Sequence, residues 1–313
     1  MRRECTLAVL VLLLAACAAP QPPTPTPTPA ASPTSPPNTP SPEPTITPSP
    51  TATITPSPTP IPGLLVIPVT SLKAGIPWLP LDTSARPAVS YLGFNTLKPP
   101  FDNALVRQAF ASSVDREAIV ILVNQYYPEL DAHVATTLTP PETLGRDLTG
   151  QMGLLFDPER ARSLLQGAGY TDPAAFPPVT IYVRPIGEYP AIPLRLAEAV
   201  AAMWREQLGV EVLVESSSIS LPGRFASSPP DVYRLAWWAD YNDPDNFLRE
   251  IFGPESEVNY GGWGNADYLR LVDEARVERD PQLRQRLYLE AEAILCQADA
   301  AIIPLYHATY DLP

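Results

Sequence analysis

The sequence predicts a mixed α/β domain over residues 63–313, and three observations lead there. Short apolar runs of strand length alternate with longer segments whose apolar residues recur at helical spacing. One strand–helix–strand unit, 179–214, has the order of a βαβ crossover, which normally joins parallel strands. The length suits one large domain or two small ones, and no repeat of 20–50 residues is present.

The elements follow in order. Leu64 to Val69 and Ala88 to Phe94 read as short apolar strands. Asn103 to Tyr127 reads as helix with a break near Ser112-Ser113. Leu105, Val106, Ala109, Phe110 and Val114 make one apolar face, and Ile119, Ile121, Leu122 and Val123 make a second. Asp157-Pro158-Glu159 is a helix start, and Gly167 and Gly169 stop that helix. Val179 to Val183 is a strand. Pro193 opens a helix with Leu194, Leu196, Ala197, Val200, Met203 and Trp204 on its apolar side, ending near Gly209. Val210 to Val214 and Leu235 to Trp238 are strands. Asn265 to Val277 and Pro281 to Gln297 are helices, and Ile302 to Tyr306 is a closing strand.

The amino-terminal part has a different character. Arg2 and Arg3 precede the apolar run Leu7 to Leu14, which is too short to span a bilayer as a mature helix. Leu14-Ala15-Ala16-Cys17 has the order of a bacterial lipobox, so residues 1–16 read as a signal peptide and Cys17 as the lipidated first residue. The alternative is an ordinary cleaved signal with an incidental cysteine. Residues 17–62 are almost entirely Pro, Thr, Ser and Ala, with Glu43 the only charge. Such a segment cannot bury a core, and as an extended tether it reaches at most roughly 140 Å at about 3.1 Å per residue. Its Ser and Thr residues are candidates for glycans.

The chain carries 42 prolines and a net charge of −13, and cleavage after Ala16 makes it one unit more negative. An acidic exported chain argues against nucleic acid and against polybasic membrane attachment. With Cys5 in the signal and Cys17 on lipid, Cys296 stands alone in an apolar helical run, so it reads as a small buried hydrophobe with no disulfide.

Residues 237–247, WWADYNDPDNF, are the most informative stretch. Asp240 falls where an apolar strand ends, beside Trp237, Trp238 and Tyr241. A carboxylate there is a candidate receptor for a cationic group on a small ligand. The alternative is a turn aspartate beside core aromatics. Arg234 precedes Asp240 by an even interval, which puts both on one strand face if the strand continues. Arg234 reads equally as a surface or ion-paired residue.

Enzyme chemistry finds little support. There is no glycine-rich phosphate loop and no GxSxG motif. His133 and His307 are the only histidines, without cysteine partners, so no metal site and no cofactor are expected. His307 reads as a strand-end histidine. No carboxylate pair is singled out for glycoside hydrolysis.

Several segments, in order, resemble the family 5 extracytoplasmic solute-binding proteins, the peptide- and nickel-type receptors of ABC importers. They are YLGFNTLKPPFDNALVRQAFASSVDREAIV (91–120), DPERARSLLQGAGY (157–170), AEAVAAMWREQLGVEVLVE (197–215), WWADYNDPDNFL (237–248) and RQRLYLEAEAILCQADAAIIPLYH (284–307). The resemblance covers roughly 85–310. It implies one lobe, the carboxy-terminal one, of a periplasmic-binding-protein-like type II fold, with a mixed sheet flanked by helices. Family members hold ligand between two hinged lobes, so the second would come from elsewhere, for example a separately encoded amino-terminal lobe.

The resemblance further implies a non-catalytic, extracytoplasmic, lipid-anchored component that binds peptides or a related small solute and serves ABC permease subunits. The alternative is a truncated remnant acting as a cell-surface interaction module. By the same comparison, Asp240 pairs with a ligand's α-amino group, and its carboxylate should be partly buried among aromatics. Trp237 forms part of the pocket wall. Arg234 meets the ligand's carboxylate, with Arg224 as a substitute. Asn95, Arg107 and Arg116 take structural roles at a turn, on a helix surface and at a helix N-terminus. Trp237, Trp238 and Trp263 are candidates for an exposed cleft face.

Overall fold

The computed structural model describes residues 85–185 and 189–311. The signal peptide, Cys17, the Pro/Thr tether and the strand expected at Leu64 to Val69 lie outside the described residues. The fold is the mixed α/β arrangement expected, a mixed sheet with helices on both faces.

The chain opens with β1, Ala85–Phe94. Two helices follow, α1 (Ala104–Ser112) and α2 (Arg116–Tyr126), capped by the side chains of Asn103 and Asp115. The break at Ser112-Ser113 is where the sequence places it. A two-residue strand β2 (His133–Val134) and a single turn α3 (Pro141–Leu144) lead to α4, Pro158–Gly167. Asp157 caps α4 by accepting from the Arg160 amide, with Pro158 at the first helical position, where a missing N–H costs nothing.

Next come β3 (Val179–Val183), α5 (Ala191–Leu208) and β4 (Val212–Ser216). Then α6 (Leu221–Ser227), β5 (Val232–Trp238), α7 (Pro244–Phe252), α8 (Ala266–Val277), α9 (Pro281–Ala293) and β6 (Ile302–Asp311) complete the unit. The helix placed at Pro193 begins two residues earlier, at Ala191. The last helix is shorter than expected: after Ala293 it widens into a π-helical turn, Ile294–Ala298.

The six strands run in the order β2-β6-β1-β5-β3-β4. β1 is antiparallel to both β5 and β6, whereas β3 is parallel to both β4 and β5. The parallel pairing of β3 and β4 around α5 is the βαβ arrangement read from the sequence. Alternation along β1 divides the core. Leu92 and Phe94 join Phe110, Leu196, Val200 and Trp204 against α1, α2, α4 and α5. Val89 and Tyr91 join Phe247, Leu248, Tyr268 and Tyr288 against α7, α8 and α9.

Several sequence expectations change. β6 continues to Asp311, so His307 lies inside a strand, buried, with Nε2 3.0 Å from the Thr137 carbonyl. Arg107 is buried rather than on a helix surface, and it donates to the Asp299 and Phe101 carbonyls at 2.8 Å. Arg116 is likewise buried. It donates to the Pro304 carbonyl at 2.7 Å and the Leu154 carbonyl at 2.8 Å, tying α2 to β6 and the loop before α4. Desolvation lowers its pKa to about 10. Trp263 is buried and donates to Asp299, so it belongs to the core and not to an exposed face.

Candidate functional site

The candidate site is built at the end of β5. Register with β1 is fixed by the ladder Ala88↔Trp238, Ala236↔Ser90 and Arg234↔Leu92. The Ala239 amide then donates to the Pro87 carbonyl at 2.8 Å. Pairing stops there, and Asp240 begins a turn into α7.

Two buried contacts fix this turn. The Asn246 side-chain oxygen accepts from the Trp237 indole nitrogen at 3.0 Å and from the Asp240 amide at 3.2 Å. Both partners are donors, so the oxygen assignment of that amide follows from chemistry. Asp243 caps α7 by accepting from the Asp245 amide at 2.9 Å, with Pro244 at the first helical position. Arg284 of α9 grips the same Asp243 carboxylate with two nitrogens, at 2.7 and 2.9 Å, and donates to the Tyr288 hydroxyl. Such a fork-to-fork pair is strong and directional. Sequence reading missed Asn246 and Arg284. The Asp-Pro-Asp-Asn run signals a helix cap, but no periodicity indicates that its fourth residue reaches back under the strand.

Of the five sequence candidates, Asp240, Trp238 and Tyr241 lie at or beside the turn, Trp237 faces the α7–α9 core on the other side of the strand from Trp238, and Arg234 lies back along β5 opposite Leu92. Asp240 differs from expectation: its side chain is 66% exposed, and its partner is Arg86, 3.5 Å away. The carboxylate expected to be partly buried among aromatics is thus largely exposed among the described residues. Trp238 and Tyr241 are exposed. Trp237 is half-buried against the α7–α9 core. The Tyr241 hydroxyl donates to Asp245 at 3.1 Å, and partial burial together with that carboxylate pushes it above the usual phenol range. Arg234 is half-buried, and its Nε donates to the Ser90 hydroxyl at 3.3 Å. Arg224 is no substitute for it: Glu215 holds it in a two-point pair at 3.0 and 2.5 Å.

A second buried polar cluster lies under α9. Glu292 accepts from the Leu138 and Thr139 amides at 2.9 and 2.7 Å, and Cys296 lies 3.4 Å from it. Burial raises the Glu292 pKa, and the amide bonds offset part of that. Together with His307 on the Thr137 carbonyl, it clamps the 137–139 loop. Cys296 is buried and unpaired, as the sequence suggests, although a carboxylate touches it. Among the described residues no cluster of three or more His, Cys, Asp or Glu could hold a metal, and no helix is long and apolar enough to cross a membrane.

Known proteins are similar to this chain in sequence and in fold. The chain is 32% identical over 225 residues to the probable deoxycholate-binding periplasmic protein YgiS of Escherichia coli, covering 69% of this chain and 39% of that protein. It is 30% identical over 229 residues to a dipeptide-binding protein of Pseudomonas aeruginosa, covering 72% and 41% respectively. The solved structure of HbpA2 from Haemophilus parasuis superposes with a TM-score of 0.62 at 29% identity, covering 73% of this chain and 45% of that one. The chain thus spans about two-fifths of the length of the curated relatives it matches. Residues 58–259, most of the chain, match the family described as bacterial extracellular solute-binding proteins, family 5 Middle. The chain belongs to the family 5 bacterial extracellular solute-binding proteins.

Proposed function

We propose that this chain is a non-catalytic receptor lobe of an ABC importer. It presents one wall of a binding site for peptides or a related small solute to permease subunits. In this reading a lipid on Cys17 anchors it on the extracytoplasmic side, and the Pro/Thr tether carries the lobe away from the membrane. The opposite wall of the site would come from a second lobe.

The observation that carries the reading is the Asp240 turn. Asn246 and the Arg284–Asp243 pair hold the backbone of the turn, and from it the Asp240 carboxylate, paired weakly with Arg86, stands accessible beside exposed aromatic faces to receive an ammonium group. Trp237, Trp238 and Tyr241 supply apolar area around it. Arg234 uses Nε on Ser90, which orients its terminal nitrogens for a carboxylate. Six residues of extended chain separate Arg234 from Asp240 by at most about 20 Å. That span admits an extended peptide of up to about five residues. The names of the relatives range from dipeptide to deoxycholate, so the fold serves more than one solute class.

Thermal-shift titration of the mature chain with di- to pentapeptide pools tests the reading. At least one pool should stabilise the protein. Asp240→Asn should weaken that binding about tenfold or more, the usual cost of losing one partner of a charge-assisted pair. N-acetylated versions of the same peptides should also bind poorly. No stabilisation by any pool, alone or with a co-expressed amino-terminal lobe, would count against it, as would equal binding of acetylated peptides. For the anchor, Cys17→Ala should move the chain from the membrane fraction to the aqueous one.

A further inference from the structure

We infer that Arg86 selects, at this wall, for peptides whose first residue is acidic. The inference rests on the reading of Asp240 as the ammonium receptor. Arg86 is placed by the ladder itself: Ala88 faces Trp238, and Pro87 accepts from the Ala239 amide, so Arg86 lies across from Asp240. Its Nη1 is 3.5 Å from Asp240 Oδ1, and the two side chains are 38% and 66% exposed. An exposed pair of this kind is weak, so an incoming ammonium can share or take over the carboxylate.

Among the described residues, the other acidic side chains of the turn have hydrogen-bond partners of their own. Asp243 is held by Arg284, and Asp245 accepts from the Tyr241 hydroxyl at 3.1 Å, with Glu250 3.4 Å from the same oxygen as the alternative acceptor. Arg234 is a second cation on β5. Among the described residues Asp240 is the one acidic side chain paired with Arg86.

Once a ligand ammonium shares or takes over the Asp240 carboxylate, the guanidinium of Arg86 has its pairing weakened and stands beside that new cation. A carboxylate on the ligand's first side chain lies a few bonds from the ammonium, within reach of the same guanidinium. It restores Arg86's pairing, with the option of two parallel bonds. A lysine or arginine first residue instead adds a further cation to a weakly paired one. Like charges brought together at a recognition site are a standard source of discrimination.

Isothermal titration of the full chain with Glu-Ala-Ala, Ala-Ala-Ala and Lys-Ala-Ala tests this. The wild type should bind Glu-Ala-Ala roughly five-fold or more tighter than Lys-Ala-Ala at low salt, and the gap should narrow as salt is raised. Arg86→Ala should bring the two within about two-fold, and Arg86→Glu should reverse the order. Wild-type binding with no preference between the two peptides would overturn the inference, and so would a preference that survives in Arg86→Ala. Failure of all three peptides to bind the wild type would overturn this inference, while the peptide reading itself stands or falls on the wider pools. Arg86 is half-buried at the sheet end, and circular dichroism of both variants verifies that they remain folded.

Discussion

Asn246 and Asp240 are joined by one buried side-chain oxygen, which accepts the Asp240 amide at 3.2 Å while also holding the Trp237 indole. Asn246 is 1% exposed, so neither bond has water as a ready substitute. Asn246→Leu should therefore cost about 1–3 kcal/mol, the range for stranding buried donors. Urea unfolding followed by tryptophan fluorescence measures it. A loss within error of zero would show that the turn holds itself.

The Arg284–Asp243 pair offers a sharper test. The two side chains are 17% and 23% exposed, so removing one partner strands a largely desolvated charge. Arg284→Met should cost about 3 kcal/mol. Adding Asp243→Asn removes the stranded charge and keeps a capping oxygen for α7. The double variant should then be more stable than Arg284→Met alone in chemical denaturation. A double variant less stable than either single one would refute the account.

His307 should make stability pH-dependent in a defined window. Burial lowers its pKa from 6.5 to about 4. The unfolded state thus binds a proton that the folded state refuses, so this contribution is complete above about pH 6.5 and declines as pH falls toward 4. The shift corresponds to about 3 kcal/mol as an upper bound. Glu292, with its raised pKa, acts in the opposite sense above its ordinary value of 4.5: its contribution falls as pH rises. The clean measurement is a difference: wild type minus His307→Gln, by denaturant midpoint from pH 7 to pH 4. That difference should shrink on acidification, and a flat difference would exclude His307 as the cause.

Gly93 is set by its neighbour. It pairs with Tyr233 across the β1–β5 ladder, and a Cβ there would fall within the Tyr233 ring. Gly93→Ala should destabilise by about 1–3 kcal/mol through overpacking. Gly93→Ala combined with Tyr233→Leu should recover part of the loss. Failure to recover would place the cost in the backbone instead.

Most of the fold was legible because its signals are local. Apolar runs mark β1 and the second half of β5, helical spacing marks α5, and Asp157-Pro158 marks a cap. The burial of Arg107 and Arg116 was not legible. Both are cations in amphipathic helices, and only the packed structure aligns the carbonyls of Asp299, Pro304 and Leu154 with them. The site divides the same way. Asp240, Trp237 and Trp238 announce themselves as an acidic–aromatic turn. Asn246 acts through a back-reaching bond, Arg284 through a helix far along the chain, and Arg86 through strand register. A one-dimensional pattern encodes none of these three.

The place of β1 between β5 and β6 also sets the order of assembly in time. β1 is the earliest described strand, yet both of its partners come late: β5 begins at Val232 and β6 at Ile302. During synthesis, its two edges stay unmatched until most of the described residues have emerged. Closing that central pairing is a long-range event, of the kind that slows folding. The consequence is a domain whose central pairing is kept open while β5 and β6 are still being made.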